Sequence, residues 1–246
     1  MPVQTFAALL KDPKKLTVHL ITVLSTAFIL TLIAMYSVDQ NLSMYFGVAE
    51  VKERYWKVAR ILTDIGLSEY YFAMALLVWA GAKWVAPKLH LLRSSKETID
   101  FARRWGLNFF VGLIVSGIMT LLIKMTVGRQ RPHKSPEFDP YVFTPFTTHW
   151  HWHSFSSGHT QTIFTVATFF SVAFPKLRWL FIPLAMLIGF TRVVVHDHFM
   201  SDVIMGASIG YVGSLLAMKL MLEKTENGLY PEIKVEEEKA EGRIPV

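Results

Sequence analysis

The chain has 246 residues, of which 52% are apolar and 18% charged, with a net charge of +6 and no cysteine. An average soluble domain carries about 25% charged residues, so this balance excludes a disordered chain and argues against an ordinary soluble globule. The missing cysteine removes disulfides, thiolate nucleophiles, iron–sulfur clusters and Cys-ligated zinc, and the positive excess reads as loop charge of a membrane protein before it reads as a nucleic-acid surface.

A membrane-spanning helix needs about 20 mostly apolar residues. Six segments come near this, at residues 16–36, 67–85, 105–123, 160–174, 179–195 and 203–222. The first has His19 as its only ionisable side chain. It outruns the apolar stretch of a signal peptide and lacks a small-residue cleavage site, so it reads as a retained anchor. Between the first two segments, Val51, Tyr55, Val58 and Leu62 recur at helical spacing among Lys52, Arg54, Lys57 and Arg60. This is a short amphipathic helix, either lying on the outer membrane surface or packed on the bundle as a loop helix. The fourth segment is short and stops at Pro175. The last carries Gly206, Gly210 and Gly213, a small-residue spacing that lets helices approach closely, here within the bundle in preference to a dimer seam. The expected fold is therefore all-α: a six-transmembrane-helix bundle with a short interfacial helix. One membrane domain covers 1–222, and the polar tail at 223–246 is expected to be disordered. The alternative for the weaker segments is burial as core helices of a soluble protein.

Lys and Arg counts in the connections orient the bundle. With the N-terminus inside, sixteen fall inside and nine outside, which favours both termini in the cytoplasm.

That topology puts three polar clusters at the outer ends of helices three to six. They are Lys124 to Pro132, with Arg131; Ser156-Ser157-Gly158-His159; and Thr191-Arg192 to Asp202, with His198. Charge at a membrane helix end is costly unless paired or functional. Singly, each has a plain explanation: Lys124 snorkels, Arg131 is a solvated flank, Arg192 pairs with Asp202. Together, five potential cations on one face call for an anion that Asp202 alone does not supply, and a phosphate group does. Cations and N–H donors aimed at phosphoryl oxygens lower the barrier to phosphoryl transfer. Without cysteine, an imidazole is the best nucleophile. His198 and Asp202 are four apart and would share a helix face, with Asp202 accepting Nδ1–H and leaving Nε2 free to attack. His159 would protonate the leaving alkoxide and later activate water.

The pattern K-x6-R-P, S-G-H, R-x5-H-x3-D resembles the signature of the type 2 phosphatidic acid phosphatase superfamily, which also includes vanadium haloperoxidases. It runs from Lys124 to Asp202. The resemblance implies that Lys124, Arg131 and Arg192 bind phosphate oxygens, with hydrogen bonds from Ser157 and the Gly158 N–H. It implies His159 as the acid, His198 as the nucleophile and Asp202 as its partner. It implies no metal and no cofactor. The sequence departs mildly from the pattern at Ser156 and Thr191. His196 and Asp197, where small residues are commoner, depart further and bear on substrate selectivity.

The reading is an integral membrane lipid phosphatase acting through a phosphohistidine, its site on the periplasmic or exterior face of a bacterial inner membrane. Candidate substrates are phosphatidate-like lipids, phosphatidylglycerophosphate, polyprenyl diphosphate and lipid A 1-phosphate. Lipid phosphate and membrane lipids are the expected partners, with no nucleic acid; the oligomeric state stays open. Two enzymatic alternatives remain: a lipid phosphotransferase, and a metal-dependent hydrolase built on His149-Trp-His151-Trp-His153, whose histidines share one face if extended, with His196, Asp197, His198 and Asp202 as further ligands. A transporter is disfavoured because the cations sit at one face and no inverted repeat is present.

Overall fold

The computed structural model describes residues 8–86 and 96–222. The elements in chain order are α1 (Pro13–Ser37), α2 (Asp39–Gly47), α3 (Ala49–Thr63), α4 (Ser68–Ala80), α5 (Lys96–Val127), α6 (Gly158–Ala173), α7 (Arg178–Val194) and α8 (Met200–Leu222). There is no strand among the described residues; Arg129 and Phe143 form one isolated bridge. The tail at 223–246, expected to be disordered, lies outside the described residues, as does the connection at 87–95.

Local signals set the helix ends. Asp12 caps α1 by accepting from the N–H groups of Lys14 and Lys15, and Pro13 opens the helix where its missing N–H costs nothing. A 3₁₀ turn at Asp64–Gly66 links α3 to α4, which runs on as a π-helical turn over Gly81–Val85. Gly128 ends α5 with φ +60, and a Cβ there would stand 1.8 Å from the Thr144 carbonyl oxygen. Only glycine fits both conditions.

Helix α8 is the hub, packed against α1, α5, α6 and α7. Its glycines permit this. A Cβ on Gly206 would meet the Ser157 carbonyl oxygen at 2.5 Å, one on Gly210 the Gln161 carbonyl oxygen at 2.3 Å, and one on Gly213 the Ser116 side chain at 2.6 Å. The small-residue stripe therefore seats α8 on α5 and α6. Further along, Trp105, Phe109 and Phe169 form an aromatic core with Leu113, Ile188, Leu215 and Met218. The Trp105 indole donates to the Phe169 carbonyl, which satisfies the polar atom that this burial would otherwise strand.

Among the described residues, five stretches are long and apolar enough to cross a membrane: Pro13–Ser37, Ala49–Val85, Thr98–Val127, Pro175–Val194 and Met200–Met221. The outward sides of α1 and α7 expose Ile21, Phe28, Ile33, Trp179, Leu180 and Met186, as a lipid-facing surface requires. The fourth sequence segment differs. Helix α6 has 16 residues, about 24 Å at 1.5 Å per residue. It buries Thr160, Gln161, Thr162, Thr165 and Thr168. These polar residues lower its hydropathy because neighbouring helices, not lipid, surround it. Helix α3 forms where the amphipathic helix was expected. It packs on α7 through Ala59 and Thr63, while Tyr55 and Val58 of the expected stripe stay exposed.

Candidate active site

The ends of four helices and the irregular segment after α5 build the site. Lys124 lies in the last turn of α5 and donates to the His153 carbonyl at 2.6 Å. Arg131 follows Gly128 by three residues. It donates weakly to the carbonyls of Trp150 and Asp197, both at 3.3 Å, and lies over the Trp150 ring. Ser157 caps α6: its hydroxyl oxygen accepts from the Thr160 N–H and hydroxyl. Gly158 and His159 thus form the first turn of α6, where backbone N–H groups point at whatever lies beyond the helix end. The contact of Gly206 with Ser157 locks that turn onto α8.

Arg192 sits in the last turn of α7 and is 5% exposed. It donates to the Thr63 hydroxyl at 2.8 Å and to the Asp197 carboxylate, and its Nε has no partner. The plain alternative, a pair between Arg192 and Asp202, does not form, because Asp202 is already committed. Its Oδ1 accepts from Arg129 at 2.6 Å; its Oδ2 accepts from the Ser154 hydroxyl at 2.6 Å and the Phe199 N–H at 2.8 Å.

The shared helix face of His198 and Asp202 is corrected. Helix α8 begins at Met200, so His198 precedes it. Asp202, in the first turn, reaches back to the Phe199 N–H in the manner of a capping box, and this brings Oδ2 to 3.6 Å from His198 Nδ1. That separation is an electrostatic contact, just beyond a hydrogen bond. The His198 Nε2 makes no hydrogen bond among the described residues. Complete burial holds the His198 imidazole well below its ordinary pKa, against the pull of Asp202, so the ring is neutral near pH 7.

The positive side chains lie close enough to act on one another: Arg131, Lys124 and Arg192 all bear electrostatically on His198 and on His159. Lys124, Gly158 and His159 line a cavity of about 470 Å³ together with the apolar side chains of Leu67, Phe72, Leu113, Ile114, Ile118 and Leu121 and the polar residues Ser68, Glu69, Thr120, Gln161 and Thr162. His198, Arg131 and Arg192 do not line it. Three buried polar atoms in this neighbourhood lack partners: Ser156 Oγ, Arg192 Nε and His198 Nδ1. Unsatisfied buried atoms are costly and call for an explanation, an absent ligand among them.

Reading the sequence missed four contributors. Arg129 is fully buried between Asp202 and Asp39, at 2.6 and 2.8 Å. Asp39 also binds Ser201 through its N–H and hydroxyl. Thr63 holds Arg192, and Ser154 holds Asp202. A charge directly after an apolar segment was the available signal for Asp39; nothing local marks Thr63 or Ser154. The histidines at 149, 151 and 153 do not gather. Trp150–Trp152 is a 3₁₀ turn, not an extended run, and no group of three His, Asp or Glu among the described residues is placed to hold a metal ion.

The PAP2 superfamily matches the chain over residues 105–226. A lipid A 1-phosphatase of Rhizobium etli is 32% identical over 171 residues, covering 69% of this chain and 73% of the relative. The chain belongs to the PAP2 superfamily. Two solved structures share its fold, each at 20% identity. The transmembrane phosphatidylglycerolphosphate phosphatase of Bacillus subtilis has a TM-score of 0.56, covering 82% of this chain and 98% of the other. LpxE of Aquifex aeolicus has a TM-score of 0.51, covering 75% and 96%. With its long apolar helical stretches, this PAP2 protein is an integral membrane protein.

Proposed function

We propose that the protein is a membrane lipid phosphatase that removes the 1-phosphate of a lipid A-type substrate through a phosphohistidine. The observation that carries this reading is that Lys124 and His159 line a largely apolar cavity while Arg131 and Arg192 lie close enough to act electrostatically on His159 and on a neutral His198. Acyl chains suit the cavity wall, and a dianion suits the cations. The relative from Rhizobium etli supports the 1-phosphate.

In this mechanism Lys124, Arg131 and Arg192 hold the non-bridging oxygens, with the Ser157 hydroxyl and the Gly158 N–H alongside. His198 Nε2 attacks phosphorus, and the P–O bond to the sugar breaks. His159, after taking up a proton alongside the bound phosphate dianion, gives it to the departing oxygen and becomes neutral. Asp202, fixed by Arg129, Ser154 and the Phe199 N–H, steadies the positive charge that develops on His198. Water, deprotonated by His159, then attacks the phosphohistidine, releasing inorganic phosphate and restoring His198. No step draws on a metal. We read α6 as the sixth and shortest pass, α3 as lying at the outer interface, both termini as cytoplasmic and the site as opening to the exterior of a bacterial inner membrane.

Purified protein in detergent, offered lipid A 1-phosphate, phosphatidylglycerophosphate, phosphatidate and polyprenyl diphosphate, tests the reading. Phosphate release is expected, fastest from lipid A 1-phosphate. Release from none of the four would overturn it, and a faster second substrate would move the assignment to that lipid.

A further inference from the structure

Asp197 occupies an unusual place. It immediately precedes the proposed nucleophile, and it turns back onto the same arginines that the phosphatase reading assigns to substrate. Its Oδ2 accepts from Arg192 and lies 3.8 Å from Arg60. Its Oδ1 lies 3.8 Å from Arg131 and 3.6 Å from the His133 imidazole. Three guanidinium groups and an imidazole, drawn from α3, the segment after α5, and α7, therefore surround one carboxylate. A phosphate bound by Arg131 and Arg192 needs the same donors.

We propose that Asp197 is a built-in counter-anion of the phosphate site: its carboxylate neutralises Arg192 and Arg131 when no substrate is bound, and a lipid-borne phosphate displaces it. The proposal rests on the phosphatase reading and adds to it a residue that decides which phosphates are retained.

The local structure suits exchange. His196 adopts φ +60, which reverses the chain directly after α7, and the N–H groups of Asp197 and His198 both donate to the Arg192 carbonyl. Its own ring is held by the Ser43 carbonyl at 2.9 Å and stacks on Phe138. The backbone at Asp197 is thereby anchored, while its side chain can change rotamer without moving the chain. The carboxylate is 20% exposed and so has an open direction to leave by, whereas the Asp202 carboxylate has none. Of its four basic neighbours only Arg192 is within hydrogen-bonding distance; the others stand at 3.6–3.8 Å.

Leaving has a consequence for selectivity. Displacing Asp197 costs every incoming phosphate the same. A lipid offsets that cost with tail contacts along the apolar cavity, whereas inorganic phosphate has no tail. The carboxylate therefore keeps the site from being blocked by its own product. It also keeps two nearly buried arginines from facing each other without a counter-charge.

The test is inhibition of lipid-phosphate hydrolysis by inorganic phosphate, using the full chain in detergent as wild type, Asp197→Asn and Asp197→Ser. The proposal expects inorganic phosphate to inhibit the variants about tenfold more tightly, since a like charge no longer competes for the arginines. An unchanged or weakened inhibition constant would overturn it, because a residue that merely orients Arg192 would loosen phosphate when removed. A second measurement needs no turnover. In a His198→Ala background, phosphate should raise the unfolding midpoint more with Asp197→Asn than without it, and an equal rise contradicts the proposal. If phosphate binding responds in this way but no lipid phosphate is hydrolysed by the wild type, the phosphatase reading fails and the counter-anion stands. If wild type hydrolyses lipid and the inhibition constants match, the counter-anion alone fails. A vanadate-bound structure of the wild type decides independently of any variant: the Asp197 carboxylate should have left Arg192, and finding it still in place would overturn the exchange.

Discussion

Two Asp–Arg clamps flank His198, and they differ in almost everything except composition. On one side Asp202 and Asp39 grip Arg129, all three fully buried, with Ser154, Ser201 and backbone N–H groups completing the hydrogen bonds. On the other, Asp197 touches Arg192, Arg131 and Arg60 at the edge of solvent, with one short contact and an unpartnered Arg192 Nε left over. The first clamp is saturated and sealed, which suits a fixed support for an imidazole. The second is loose and accessible, which suits a place where one anion can replace another. The same pair of residue types yields a scaffold or a binding site according to how completely each charge is satisfied.

The comparison breaks most sharply at the residue between the clamps. His198→Ala should lower turnover on the order of a thousandfold or more while the protein still inserts and elutes as the wild type does. Retained turnover in a phosphate-release assay would remove the nucleophile from the account. On the sealed side, Arg129→Ala leaves Asp39 and Asp202 charged and buried, so it should cost about 3–5 kcal/mol, seen as a large fall in unfolding midpoint. Asp197→Asn on the open side keeps an acceptor for Arg192 and should cost about 1 kcal/mol or less by the same measurement. Equal losses would erase the distinction between the clamps. Gly206→Val drives a side chain into the Ser157 backbone, and overpacking of this kind costs about 1–3 kcal/mol. Because Ser157 caps the helix that carries His159, activity should fall along with stability.

The smallest effect concerns pH. Burial lowers the pKa of His198 and of His196 in the folded protein. Below about pH 6.5 the unfolded chain takes up protons that the folded chain refuses, so stability should fall as pH drops from 7 toward 5. A midpoint that rises over that window would show these rings to be charged in the fold.

The catalytic candidates are legible because short motifs fix them: K-x6-R and S-G-H each lie at one helix end and its flanking turn, and R-x5-H-x3-D spans only the short turn that joins α7 to α8. What was not legible depends on distant packing. Asp39 reaches Ser201 across 162 residues, and Thr63 reaches Arg192 across 129. Arg129 stood in view beside Arg131, yet only the tertiary structure tells which arginine turns into the core. The fourth segment shows its apolar character in the sequence, whereas the partners of its polar residues, such as Gln161 with Ser116 and Thr165 with the Gly210 carbonyl, depend on neighbouring helices and are not legible there. Asp197 was visible as a departure from the family pattern, and only its position among three arginines gives that departure a meaning.

The central claim is that the imidazole between the clamps carries the phosphoryl group. Rapid quenching of the purified protein with a lipid substrate radiolabelled at phosphorus, followed by alkaline peptide mapping, tests it directly. The account predicts an acid-labile phosphohistidine at His198 that forms and decays on the timescale of turnover and is missing in His198→Ala. Full phosphate release with no label on His198 at any time would contradict it.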